Sequence, residues 1–346
     1  MRKALSFSVL SLLVLSLFVS CETVGYYGQA AKGQMSLLLG RQQIDSLLQT
    51  PDLDAETRRK LQLVLDVREF AARDLHLQTG DSYLSFTALE QPYVLWNVFA
   101  APEFSTEPTR WCYPIAGCVS YRGYFREEAA QRYAADLTRQ GLDVYSGGVD
   151  AYSTLGWFDD PLTSAVLRRP DHRLVALMLH ELAHQRLYLP GDTMFNESFA
   201  TFVEQEGLRR WLERHPQGGL GEQIARENRM QEAFVVLVTT HRDALTTLYS
   251  EALTAEEKRA GKQAVQDAMR AEYAQLRETW DYNGYDRWFA GPLNNAQLAT
   301  VASYNMLVPF FEGMLAEADG DLARFYREVE AIMKLPAAER ERLLPR

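Results

Sequence analysis

The stretch Leu174-Val175-Ala176-Leu177-Met178-Leu179-His180-Glu181-Leu182-Ala183-His184 decides how this chain is read. Six apolar residues in a row lead into a His-Glu-x-x-His pattern, which predicts a helix buried on nearly all sides. Four residues of α-helix advance about 6 Å and return to the same face, so both imidazoles can meet one Zn²⁺. Glu181, one position on from His180, points to the side of that face. A carboxylate there can act as general base on an attacking water without binding the metal.

Catalytic zinc usually takes three protein ligands. Glu197, in Asn196-Glu197-Ser198-Phe199-Ala200, is the predicted third. Leu189-Pro190-Gly191-Asp192 reads as a helix stop and a turn, after which Asp192 or Thr193 can cap a new helix. Glu197 then sits in the second turn of that helix, facing the two histidines, and Ala200 is small enough to let the helices approach. This layout resembles the gluzincin metallopeptidases, in which His-Glu-x-x-His is followed by Glu-x-x-Ala on the next helix. The twelve residues between His184 and Glu197 are fewer than in thermolysin-like enzymes, which predicts a tighter helix-turn-helix. The other four histidines, His76, His172, His215 and His241, stand next to charged or polar residues and read as surface positions.

Arg2-Lys3, an uncharged and mostly apolar run from Ala4 to Ser20, and then Cys21 together read as a secretory signal. Leu17-Phe18-Val19-Ser20-Cys21 also looks like a bacterial lipobox, with Phe18 where Leu is usual. That implies lipidation of Cys21, a membrane anchor and a location on the periplasmic side of the cell envelope. Glu22 leaves the choice of membrane open. Loss of Arg2 and Lys3 takes the net charge from −10 to −12, and no basic patch stands out, which argues against a nucleic-acid partner. Cys112 and Cys118 bracket a short loop, and in an oxidising compartment they are expected to pair.

Residues 1–20 are thus a signal peptide and 21–346 one domain in three parts. Residues 26–77 read as two helices separated at Pro51-Asp52. Residues 82–160 are β-rich, with strands expected at Ser82–Thr87, Tyr93–Phe99, beside the cysteine loop up to Phe125, at Asp143–Tyr145 and at Ala151–Phe158, and one helix at Arg126–Gln140. Residues 166–346 read as helical and carry the zinc ligands, with a long charged pair across roughly 220–279. The expected class is α+β, a small and mostly antiparallel sheet followed by a helical zincin-like part.

Around the metal, the run Gly147 to Trp157 is either a sheet edge that binds an extended peptide, with Gly148 and Asp150 in contact, or a hairpin with a Gly-Gly turn. Asp159 and Asp160 are either anchors for a substrate α-ammonium or turn residues before Pro161. Tyr304, Tyr285 and Arg287 are candidates for stabilising the oxyanion, or else core packing. Glu204 and Glu206 can support a ligand histidine or face solvent.

The segments Trp111 to Cys118, Tyr121 to Phe125, His180 to His184, Asn196 to Ala200 and Asn294-Asn295 to Tyr304 together resemble a family of putative bacterial aminopeptidases, gluzincin-like and often lipoproteins. The resemblance spans roughly residues 22–335 and implies zinc-dependent cleavage of peptides from their N-termini. The rival readings are an endopeptidase, and a non-catalytic envelope lipoprotein that keeps a zinc-bound fold for assembly. The intact Glu181 speaks against the second.

Overall fold

The computed structural model describes residues 24–113, 117–151, 153–154, 158–216 and 218–344; Cys21 and the signal segment lie outside them. The N-terminal part opens with α1 (residues 24–39), β1 (Gln42–Gln43) and α2 (Ile44–Leu48). α3 (Ala55–Asp74) follows, its N-terminus capped by Asp54, which accepts from the Thr57 backbone at 2.9 Å. Leu61, Val64, Val67, Phe70 and Ala71 recur at helical spacing and form its buried stripe.

The strands are short and fall into three groups. β2 (Ser85–Thr87) pairs antiparallel with β1 and parallel with β8 (Leu162–Thr163). β3 (Leu95–Pro102) lies between β6 (Arg122–Tyr124) and β7 (Leu142–Val149), antiparallel to both. β4 (Trp111–Tyr113) and β5 (Gly117–Val119) form a hairpin in which Cys112 and Cys118 stand opposite each other and are joined by the expected disulfide. The alternation along β3 turns Trp96, Val98 and Ala100 onto α4 (Glu127–Arg139), which contributes Ala130 and Leu137. Leu95 and Asn97 are left on the other face.

One alternative is decided and one strand expectation changes. Gly147 and Gly148 are not a turn; they lie inside β7, opposite Asn97 and Trp96. The described residues between Ala151 and Phe158 form no strand. Their polar groups are taken up by side chains instead. Asp160 accepts from the Thr154 backbone at 2.7 Å and from its hydroxyl at 2.8 Å, and the Phe158 N–H donates to Thr154.

From α5 (Ser164–Leu167) onward the chain is helical: α6 (Asp171–Arg186), α7 (Thr193–Arg214), α8 (Leu220–Ser250), α9 (Ala255–Trp280), α10 (Asp286–Phe289), α11 (Asn295–Asn305), α12 (Val308–Glu317), α13 (Leu322–Met333) and α14 (Ala337–Leu343). The molecule is therefore mainly helical with small sheets, compatible with an α+β class. α6 is buried on almost every side, with Leu174, Met178, Leu179 and Leu182 packed among Phe195, Phe199, Phe311 and Phe325. A second core lies under α8 and α9, around Phe234, Tyr273 and Phe289. Two of the histidines read as surface positions are buried there or nearby. His172 approaches Glu227 at 3.5 Å, and His241 bonds the Leu237 carbonyl at 2.9 Å. Helices distant in sequence cover them, which neighbouring charges do not reveal. No helix among the described residues is long and apolar enough to cross a membrane.

The disulfide hairpin rests on the turn between α6 and α7. Gly117 has φ +73°, and a Cβ there would lie 2.5 Å from the Gly191 nitrogen. Arg110 bonds the Gly191 carbonyl, and the Ser120 N–H donates to Thr193 at 3.2 Å. Gly117→Ala is therefore expected to cost about 2 kcal/mol or more in denaturant unfolding. Gly80→Ala, at φ +47° with open space around it, is expected to cost about 1 kcal/mol. Equal costs would contradict the close hairpin contact.

Candidate metal centre

The turn from Leu187 to Asp192 is held from inside. The Asn196 carboxamide accepts from the Leu189 N–H at 2.7 Å and donates to the Leu189 carbonyl at 2.8 Å. Asp192 caps α7 through the Phe195 N–H at 3.1 Å, and Gly191 supplies the positive φ the turn needs, +87°. Further along, Gly207 lets α7 close on α6: a Cβ there would stand 2.8 Å from Leu179 and Leu75. The turn sets the phase of α7, and the small residues set its distance.

His180 and His184, one helical turn apart, have ring centroids 4.9 Å from each other. Glu197 Oε2 lies 3.4 Å from His180 Nε2 and 3.6 Å from His184 Nε2, and one atom from each of the three residues falls within 4.8 Å of the others. Ligands about 2.1 Å from a tetrahedral Zn²⁺ stand about 3.4 Å apart, and the two contacts of Glu197 with the histidines match that spacing. All three side chains are buried. Nitrogen, nitrogen and carboxylate oxygen are a donor set that zinc accepts. The residues present therefore fit a metal ion.

Around this set the fields are strong. Burial raises the Glu181 carboxyl above its usual range, with Glu197 and Glu204 adding to the effect and the two histidines opposing it. Burial also raises Glu197, but the adjacent histidines outweigh it and hold that carboxyl low. In Tyr304, on α11, burial and the Glu197 charge raise the phenol well above its usual range. Its ring stacks on His180 at 6.0 Å.

Glu204 approaches His180 Nδ1 at 3.1 Å, so it orients a ligand ring instead of facing solvent. Glu206 bonds Arg209 and Arg210, each at 2.7 Å, and has no part in the centre. The centre opens into a cavity of about 710 Å³, to which Glu181, Glu204, Tyr304, Gly148 and Asp150 all contribute. Asp150 is already paired with Arg169 at 2.5 Å. Asp159 is exposed and outside the cavity lining. Tyr285 stacks on Phe234 at 4.4 Å in the second core, and Arg287 is exposed; neither borders the cavity. The aromatic tract around them packs α8 against α9, the alternative the sequence left open.

Two contributors, Tyr188 and Tyr121, were not singled out from the sequence. Tyr188 lies four residues beyond His184, with rings 6.4 Å apart, and that spacing was a usable signal. Tyr121 also borders the cavity, but only strand pairing places it there. Asp160, which the sequence offered as an ammonium anchor or a turn residue, is buried beneath the cavity wall, where its bonds to Thr154 hold a lining residue in place.

The putative aminopeptidase family matches residues 25–344. The chain belongs to that family. No curated protein and no solved structure matches it. Membership makes it a peptidase in general terms, and the buried histidine pair with Glu197 gives this member a possible metal site.

Burial raises Asp160 to about 6, against the Thr154 hydrogen bonds, and Glu181 pushes the same way. A carboxyl raised on folding holds its proton more tightly in the native state. Its contribution is complete below pH about 4 and is lost as pH climbs through 6, a change of roughly 3 kcal/mol at most. Between pH 4 and 7 the native protein is expected to lose stability relative to Asp160→Asn in denaturant titrations. Parallel pH profiles for the two proteins would contradict this.

Proposed function

We propose that this protein is a zinc aminopeptidase of the bacterial cell envelope. The observation that carries the reading is the convergence of His180, His184 and Glu197 within 4.8 Å of one another, with the buried Glu181 beside them in the lining of a peptide-sized cavity. Held by His180, His184 and Glu197, a zinc ion would supply Lewis acidity and would lower the pKa of water toward 7. Glu181, raised by burial, takes a proton from the attacking water and returns it to the leaving amine. Tyr304, beside His180 and protonated at any working pH, donates to the oxygen that gathers charge on the scissile carbonyl. Glu204 keeps the His180 ring turned so that Nε2 points inward.

The substrate backbone is taken up along β7. Among the described residues that strand pairs with β3 alone, and Gly148 and Val149 border the cavity. A Cβ on Gly148 would meet the Tyr93 ring at 2.1 Å on the opposite side, so backbone is what this position offers. Preference for a free α-ammonium rests on charge. Arg169 and Arg173, the arginines in the lining, are paired with Asp150 and Glu227. Glu181 and Glu204 keep the metal end negative. The paired Asp150, the engaged Asp160 and the exposed Asp159 are not the ammonium's partners. The lipobox around Cys21 supports attachment to the membrane.

Glu181→Gln is expected to retain zinc and to lose peptide hydrolysis by about a hundredfold to ten-thousandfold, while His184→Ala loses the metal. Metal analysis beside cleavage of free and N-acetylated peptides reads both. Undiminished cleavage by Glu181→Gln would remove Glu181 from the chemistry, and equal cleavage of the two peptides would make the enzyme an endopeptidase. Labelled fatty acid is expected to enter the protein and not Cys21→Ser; equal labelling would rule out that anchor.

A further inference from the structure

The described lining of the cavity has two chemically distinct parts. Every lining residue up to Val149 in the chain is uncharged, and all the charged ones come from Asp150 onward. The uncharged part is built by α1 and by the face of β3 and β6 turned away from α4. α1 is fixed to that sheet by Gln29, which donates to the Gly123 carbonyl at 3.3 Å and accepts from the Phe125 N–H at 3.2 Å. Gly33 allows the close approach, since a Cβ there would fall 2.1 Å from the Phe125 ring. α1 is thereby a wall of the cavity, and it contributes Tyr26, Ala30 and Gln34 to it.

Three polar atoms in this part are buried and have no hydrogen-bond partner among the described residues. They are Nε2 and Oε1 of Gln34 and Oδ1 of Asn97. Asn97 is only 7% exposed, and both residues line the cavity. A buried polar atom without a partner costs about 1–3 kcal/mol, and native proteins hold few of them. Three gathered from two elements 63 positions apart in sequence, on one cavity, are accounted for by a ligand that completes them. That ligand must offer both a donor and an acceptor, and a neutral one fits best, because the lining up to Val149 carries no charged side chain and the nearby Arg122 guanidinium, outside the lining, is already stacked on Tyr26 and Tyr133. An amide meets all three conditions.

We infer that Gln34 and Asn97 form a subsite for an interior main-chain amide of the peptide substrate, away from the metal, with uncharged substrate side chains packed among the surrounding tyrosines. The inference rests on the peptidase reading and adds substrate length to it: a dipeptide held at the metal does not fill the subsite, and a longer neutral peptide does.

The test measures binding of dialanine and pentaalanine to zinc-loaded, full-length Glu181→Gln protein by calorimetry. The expected result is pentaalanine bound at least tenfold more tightly. That advantage should fall about tenfold in Gln34→Met or Asn97→Leu, and should persist in Lys32→Ala on the exposed side of α1. Unfolding free energies of the two apolar variants should be equal to or above that of the parent, because unpartnered polar atoms are removed. A second arm needs no protein variant: pentaalanine with single interior amides replaced by esters should bind several-fold more weakly at one position. A length advantage unchanged in Gln34→Met and Asn97→Leu, with a flat ester scan, would mean that the three atoms hold water only and would overturn the inference. Cleavage of both peptides by the parent enzyme with no length preference would overturn it alone. Binding of neither peptide would overturn the peptidase reading with it.

Discussion

The turn between α6 and α7 is the constraint on which the site depends. Two histidines one turn apart are fixed by the helix that carries them, but a third ligand must arrive from another helix with sub-ångström accuracy. Asn196 does this by closing the Leu187–Asp192 turn with two hydrogen bonds, one residue before Glu197. Gly191 gives the turn its left-handed step, and the disulfide hairpin leans on it from outside through Gly117. Turn, cap and close helix contact are separate interactions, and together they leave Glu197 one position to occupy.

The electrostatics of the centre agree with that geometry. Glu181, Glu197 and Glu204 gather around two imidazoles; Glu181 and Glu197 are buried, and Glu204 is partly so. Burying carboxylates is costly unless opposite charge meets them. Burial alone works against a charged His180, yet its hydrogen bonds to Glu197 and Glu204 hold it at about 10 in the metal-free protein. A divalent cation held by His180, His184 and Glu197 would meet the same conflict with positive charge and would favour neutral imidazoles.

The metal end was legible in the sequence because its information is local. His180, Glu181 and His184 follow from helical period, and Glu197 from a turn signal and a cap only a few residues away. The disulfide was legible for the same reason. What escaped depends on contacts between distant segments. The Gly147-Gly148 pair reads by composition as either a sheet edge or a turn, and its strand state is decided by pairing with β3, about fifty positions earlier. His172 and His241 sit among polar neighbours in sequence and are covered by other helices. The Trp280–Phe289 tract has the composition of a site loop, and the α8–α9 pair claims it for a second core. Glu204 lies seven residues beyond Glu197, on the same helix face, and that spacing was a signal available for its contact with His180.

X-ray absorption at the zinc edge, on purified protein loaded with one equivalent of zinc, tests the central claim most directly. The account predicts a first shell of two nitrogens and one or two oxygens at about 2.0–2.1 Å, with the imidazole scattering reduced in His184→Ala. A spectrum of hydrated zinc, or one unchanged by His184→Ala, would contradict the assignment of His180, His184 and Glu197 as a metal centre.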